Sequence, residues 1–97
     1  FFMSSTLKYQ IIFEKKALKD IKKITTSGRK SDIVKLENFL EELKIHPHTG
    51  TGNPEQLKHN LAGFWSRRLN KKDRLIYEII EEPDNLVVII SALGHYE

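Results

Sequence analysis

Apolar positions along the chain change their period twice. Leu7 to Phe13, LKYQIIF, is short and β-rich, which predicts a first strand. Ala17, Leu18, Ile21 and Ile24 then recur at helical spacing, with Lys15, Lys19, Lys22 and Lys23 facing away, until Thr25, Thr26, Ser27 and Gly28 stop the pattern. Ser31 and Asp32 offer capping side chains for a second helix, whose wide apolar stripe of Ile33, Leu36, Phe39, Leu40 and Leu43 ends before Pro47. His46 to Glu55, HPHTGTGNPE, gathers two glycines and two of the three prolines into a loop of about ten residues, long against the usual 4–6 and therefore a place to look for function.

After that loop the period shortens to two. Phe64 to Leu69, Arg74 to Ile80 and Leu86 to Leu93 read as three strands, joined by the turn-like segments NKKD and EEPDN. Strand, helix, helix and three strands predict an α+β domain spanning 1–97. Both helices pack on one face of an antiparallel sheet and the other face stays open. Residues 1–5 are expected to be disordered or vector-derived, because Phe1 and Phe2 precede Met3.

Composition narrows the class. Ninety-seven residues with 39% hydrophobic and 30% charged positions suit one globular core, and no apolar run approaches the roughly 20 residues of a membrane span. The absence of cysteine rules out disulfides and thiolate chemistry. With no secretory pattern at the N-terminus, a cytoplasmic protein is expected. Net charge is only +3, but residues 14–30 carry seven Lys/Arg, residues 55–74 carry six, and 75–97 carry none with five acids. A positive face of this kind attracts polyanions, so nucleic acid is the leading partner class; an ordinary solvated surface explains the lysines equally well.

Candidate chemistry sits where the basic block meets the strands. Arg67 and Arg68 are neighbours in a strand and point to opposite sides, so at most one faces the open cleft while the other reaches round the sheet edge. Arg68 and Arg74 share a face if the hairpin between them has an odd number of loop residues, which is the register we expect. RNA cleavage by the substrate's own 2′-hydroxyl needs a base, an acid and cations for the crowded phosphorane. Glu55, His95 and Arg74 are one of each. Lys58 beside Glu55 would keep the carboxylate ionised, His95 is of the side-chain type that can hold or release a proton near neutral pH, and Tyr96 could stack on a base or orient the phosphate.

PEQLKHNLAGFWSRRLNKKDRLIYEI, followed by the terminal HY, closely resembles the YoeB/Txe family of toxins in the RelE-like superfamily, over nearly the whole chain and most densely from Gly50 to Tyr77. The resemblance implies a ribosome-dependent mRNA endonuclease that cuts the codon in the A site and is held off by a YefM/Axe-like antitoxin. It implies Glu55 as general base, His95 as general acid, and Arg74, Arg68 and Lys58 as charge neutralisers, with Tyr96 positioning the RNA. No metal or other cofactor is implied, and a homodimer is plausible from the family. Two features depart from its pattern: EEPDN is longer than the equivalent turn of shorter relatives, and Glu97 adds a negative charge beyond Tyr96.

Other residues take plainer readings. Trp65 is expected in the core or on the sheet face, His59 within the PEQLKHNL turn, and His46 and His48 as loop residues without a metal. Lys15, Lys16, Lys19, Lys22 and Lys23, with Lys71 and Lys72, suit a solvated surface or a grip on ribosomal RNA phosphates. A non-catalytic RNA- or ribosome-binding module of the same fold is the alternative function, and a ribonuclease acting on free RNA is another.

Overall fold

The computed structural model describes residues 8–94. Strand β1 (Gln10–Phe13) leads into helices α1 (Lys15–Thr26) and α2 (Lys30–Leu43); after the long loop come β2 (Glu55–Gln56), a 3-10 turn (His59–Leu61), β3 (Phe64–Arg68), β4 (Arg74–Ile80) and β5 (Leu86–Gly94). One sheet holds all five strands in the order β1-β5-β4-β3-β2. Among the described residues no helix is long and apolar enough to cross a membrane.

The architecture matches the α+β expectation, with two corrections. The sheet is mixed: β1 pairs parallel to β5, placing Gln10 opposite Leu86 and Phe13 opposite Ile89. A parallel partner needs a long crossover, which the helices, loop and strands between Phe13 and Leu86 provide, and a strand's own pattern does not encode its partner. The second correction is β2, whose two residues pair antiparallel with β3 and are too few to show any periodicity. Element limits differ slightly too. The first strand starts at Gln10 because the Tyr9 N–H donates to the Lys44 carbonyl at 2.7 Å instead of to the sheet. Helix α2 starts at Lys30 with Arg29 as its N-cap and no side-chain cap. Asp32, expected as a cap, instead accepts from Asn70 Nδ2 at 3.1 Å and tethers the β3–β4 hairpin.

Both helices cover one face, as the amphipathic stripes require. Ala17 and Ile24 of α1 and Leu36, Phe39 and Leu43 of α2 form one buried cluster with Leu75, Tyr77, Val87 and Ile89 of the sheet. Trp65 packs against this cluster and meets His48 edge-on, ring centroids 5.3 Å apart.

Arg67 is the surprise of the core. It does not reach round the edge: it is fully buried among the helices. Its five N–H donors meet five acceptors. Nη1 donates to Glu42 Oε1 at 2.6 Å and to the Thr51 carbonyl at 3.2 Å, and Nη2 donates to the carbonyls of His46 and Thr49 at 2.7 and 2.8 Å. Nε donates to Tyr77 Oη at 3.2 Å, and that hydroxyl donates on to the Pro47 carbonyl at 2.9 Å. The guanidinium also lies 5.8 Å from the Phe39 ring centroid and 6.0 Å from that of Tyr77. Three loop carbonyls thus turn inward onto one cation, which fixes the course of the loop. Gly52 allows one close approach: at φ 82 it occupies the left-handed region, and a Cβ there would lie 2.5 Å from Phe39 Cζ.

Two carboxylates are held in similar fashion. Burial by itself would raise the Glu42 pKa, but the amide and hydroxyl of Thr51 and the Arg67 guanidinium outweigh it and pull the value below the ordinary one. Asp20, likewise buried, is pulled down by Lys16 and by the amides of Ala92 and Leu93. Among the described residues every buried side-chain polar atom has a partner.

Arg67→Lys keeps the charge but not the planar fork, and should destabilise the fold by about 3 kcal/mol or more. For a domain of this size that lowers the melting temperature by roughly 12 °C or more, measurable by circular dichroism. Acid sensitivity follows from the two depressed carboxylates. The folded chain binds fewer protons at these sites than the unfolded one, so their stabilisation is complete above pH about 5 and is lost progressively as pH falls below it. Glu42→Gln should flatten the fall in urea midpoint below pH about 5; an unchanged slope would remove Glu42 from its causes.

Candidate functional site

The open face is assembled by register. In β3 and β4, Arg68 lies opposite Arg74, Ser66 opposite Ile76 and Phe64 opposite Glu78. Side chains alternate along a strand, so Phe64, Ser66, Arg68, Arg74 and Ile76 share the face that the helices leave uncovered, while Arg67, Leu75 and Tyr77 share the core face. Five loop residues, Leu69 to Asp73, separate the two arginines, an odd number as expected. The loop is shaped by Asn70, whose Oδ1 accepts from the amides of Lys72 and Asp73 at 2.8 and 2.7 Å.

Strand β2 brings the acid. Glu55 pairs with Ser66, which puts its carboxylate on the open face within reach of the next strand but one. Arg74 Nη1 donates to Glu55 Oε1 at 3.1 Å and to Ser66 Oγ at 3.3 Å. Among the described residues Glu55 therefore pairs with Arg74 and not with Lys58, its expected neighbour; Lys58, three positions on, is exposed. Arg68 is exposed directly across from Arg74. Two guanidinium groups facing each other across a strand pair repel, and one carboxylate relieves only part of that charge. An arriving phosphate would relieve the rest.

Ser66 was not singled out by the sequence, although it is wholly buried and steadies Arg74. The signal available was its position two residues before Arg68, on the same face of one strand. Two depressions flank the arginine pair. Leu61, Phe64, Ile76, Ile90, Ser91, Leu93 and Gly94 line one of ≈ 390 Å³, with Lys16 at its rim. Lys35, Asn53, Arg68, Asn70 and Lys71 contribute to another of ≈ 500 Å³.

The remaining candidates fall elsewhere. Lys15, Lys16, Lys19, Lys22 and Lys23 are exposed along α1, and Lys16 binds Asp20 at 2.9 Å; Lys71 and Lys72 are exposed in the β3–β4 hairpin. His59 opens the 3-10 turn at φ 60, its carbonyl accepting from the Ala62 amide at 3.0 Å. His95 and Tyr96 lie outside the described residues, as does Glu97. The last described residue, Gly94, pairs with Arg74.

Comparison with known proteins gives a consistent result. The family model described as "YoeB-like toxin of bacterial type II toxin-antitoxin system" matches residues 13–96. Toxin YoeB of Escherichia coli K12 is 38% identical over 64 residues, which are 66% of this chain and 73% of that protein. Among solved structures, the YoeB dimer from Staphylococcus aureus aligns with a TM-score of 0.77 at 33% identity, covering 92% of this chain and 99% of that one. The heterotetrameric YoeB–YefM complex from the same organism aligns at 0.74 with 32% identity and the same coverage.

The Arg74–Glu55 pair is partly solvated, with side-chain exposures of 18% and 46%. Such pairs contribute little to stability. Glu55→Gln should therefore shift unfolding in urea by less than about 1 kcal/mol. A loss of several kcal/mol would make the pair a structural element and not a site.

Proposed function

The chain belongs to the family of YoeB-like toxins of bacterial type II toxin-antitoxin systems, and from the arrangement on its open face we propose that it is a ribosome-dependent mRNA endonuclease. The observation that carries this reading is the Arg74 guanidinium held between Glu55 and Ser66 and facing Arg68 across the strand pair. It joins a proton acceptor to a pair of cations in one half-exposed cluster.

The chemistry is transfer of the phosphoryl bond within the RNA. Glu55 takes the proton of the 2′-hydroxyl, whose oxygen attacks the adjacent phosphorus in line with the departing 5′-oxygen. Arg74 and Arg68, with Lys58, neutralise the charge that builds on the non-bridging oxygens. His95 gives its proton to the leaving 5′-oxygen, so the products are a 2′,3′-cyclic phosphate and a free 5′-hydroxyl. Tyr96 orients the RNA. The nucleophile is already in the substrate, and guanidinium groups take the electrostatic role a metal plays elsewhere.

Among the described residues the open face offers a small charged cluster and no long base-reading groove, so in this reading the ribosome supplies the alignment of the mRNA. Exposed lysines of α1, with Lys71 and Lys72, would grip ribosomal RNA phosphates, a role that would be carried out in the cytoplasm. Control falls to a YefM- or Axe-like antitoxin, in keeping with the complex of the Staphylococcus aureus relative, and the dimer of that relative supports a homodimer here. An acidic antitoxin segment folding over the arginine pair would meet the same charges as the phosphate.

Ribosomes programmed with a short mRNA should be cut at the A-site codon by the wild-type chain. Glu55→Ala and His95→Ala should each slow single-turnover cleavage by roughly 10²–10⁴-fold, and Arg74→Ala by about 10²–10³-fold. Equal cutting by His95→Ala would refute a mechanism with His95 as general acid, and no cutting by wild type would favour a binding module without catalysis. Comparable cleavage of ribosome-free RNA would refute the dependence on the ribosome.

A further inference from the structure

Strand β5 slips out of register just before it reaches the site. Tyr77 lies opposite Ile89, so an unbroken ladder would set Arg74 opposite Ala92. Instead Ile76 lies opposite Ser91 and Arg74 opposite Gly94, so β5 has absorbed two extra residues over this stretch. At about 3.3 Å per residue, the slip draws Gly94, the last described residue of β5, back by roughly 6–7 Å along β4. His95 then follows the partner of Arg74 by one position in the sequence; in the unbroken ladder it would follow by three.

A slip of this kind leaves consecutive amides without a strand partner. Here helix α1 supplies the acceptor. Asp20 Oδ2 accepts from the amides of Ala92 and Leu93 at 3.1 and 3.2 Å, as an anion does in a nest of successive N–H groups. Lys16 Nζ, the cation facing Asp20 from its own helix, donates to the same oxygen at 2.9 Å. Asp20 is only 4% exposed, far more buried than an aspartate's ordinary surface position. Its place on the inner side of α1 has no role in the core's apolar packing. Past the slip, the chain closes tightly on β4: a Cβ at Gly94 would lie 2.6 Å from Ile76 Cγ1 and 2.7 Å from Ser91 Oγ.

We propose that Asp20 is a positioning residue for the reaction: by holding the β5 slip, it fixes the register in which the chain leading to His95 leaves the sheet beside Arg74. The inference rests on the cleavage reading above, in which His95 is the general acid. It makes a helix residue on the far side of the sheet part of the same kinetic unit as the C-terminus.

The test is a double-mutant cycle on programmed ribosomes. Asp20→Ala should lower kcat by roughly 10–100-fold with KM within about two-fold, the pattern of a misplaced group and not of lost binding. Asp20→Asn, whose amide oxygen can still accept from both N–H groups, should recover most of that loss. In a His95→Ala background Asp20→Ala should cost nothing further; an equal cost in both backgrounds would make Asp20 a structural residue and overturn the inference. Should Asp20→Ala fail to fold, a glycine inserted between Gly94 and His95 displaces the histidine without touching β5. That insertion should also lower kcat by roughly ten-fold or more, and unchanged kcat would overturn the inference. A wild-type chain that cuts no mRNA would sink the cleavage reading and this one with it, whereas cutting by wild type with no effect of Asp20→Ala sinks this one alone.

Discussion

A single buried cation sets the shape of everything around the site. Removing the Arg67 guanidinium from water is tolerable only if its hydrogens are all satisfied and its charge is met. Glu42 meets the charge at 2.6 Å, and the carbonyls of His46, Thr49 and Thr51 satisfy much of the rest. The loop from Pro47 to Pro54 therefore runs where these carbonyls must point. Glu55 is the first residue beyond it, so the position of the candidate base depends on a contact made on the opposite side of the sheet.

The two arginines of one strand divide the work because a strand alternates. Arg67 faces the helices and orders the loop; Arg68, one residue on, faces solvent opposite Arg74. A one-residue slip of β3 would exchange them, burying the cation proposed to meet phosphate and exposing the one that orders the loop. The register is thus protected by stability as well as required by the proposed chemistry. The core under it is ordinary, with Phe39, Leu43, Tyr77 and Ile89 filling the space between α2 and the sheet. Polar contacts, those of Arg67 and Asp20, decide where the strand ends lie.

Much of this was legible in the sequence where local pattern determines the outcome. The limits of β4, the two amphipathic helices, the open face and the shared side of Arg68 and Arg74 all follow from periodicity and loop parity. The burial of Arg67 was not legible, because its acceptors come from Glu42, twenty-five residues back, and from main-chain groups that carry no sequence signature. The parallel seat of β1 and the two-residue β2 were hidden for a similar reason: pairing is a property of two segments, and each shows only its own half. Ser66 and Asp20 were hidden because a small polar residue on a strand and an acid on a lysine-rich helix both read as surface. Of the candidate catalytic group, Glu55 and Arg74 are brought together, while His95 and Tyr96 lie outside the described residues.

The claim at the centre is that the protein contributes a base, cations and an acid, while the mRNA contributes its own nucleophile. A message carrying a single 2′-deoxynucleotide at the cleaved position, placed in the A site of programmed ribosomes, tests this most directly. The protein should leave that message intact while cutting the all-ribose message to a 2′,3′-cyclic phosphate and a 5′-hydroxyl. Cleavage of the deoxy-substituted message at the same bond and a similar rate would contradict it, since the attacking oxygen would then have to come from water.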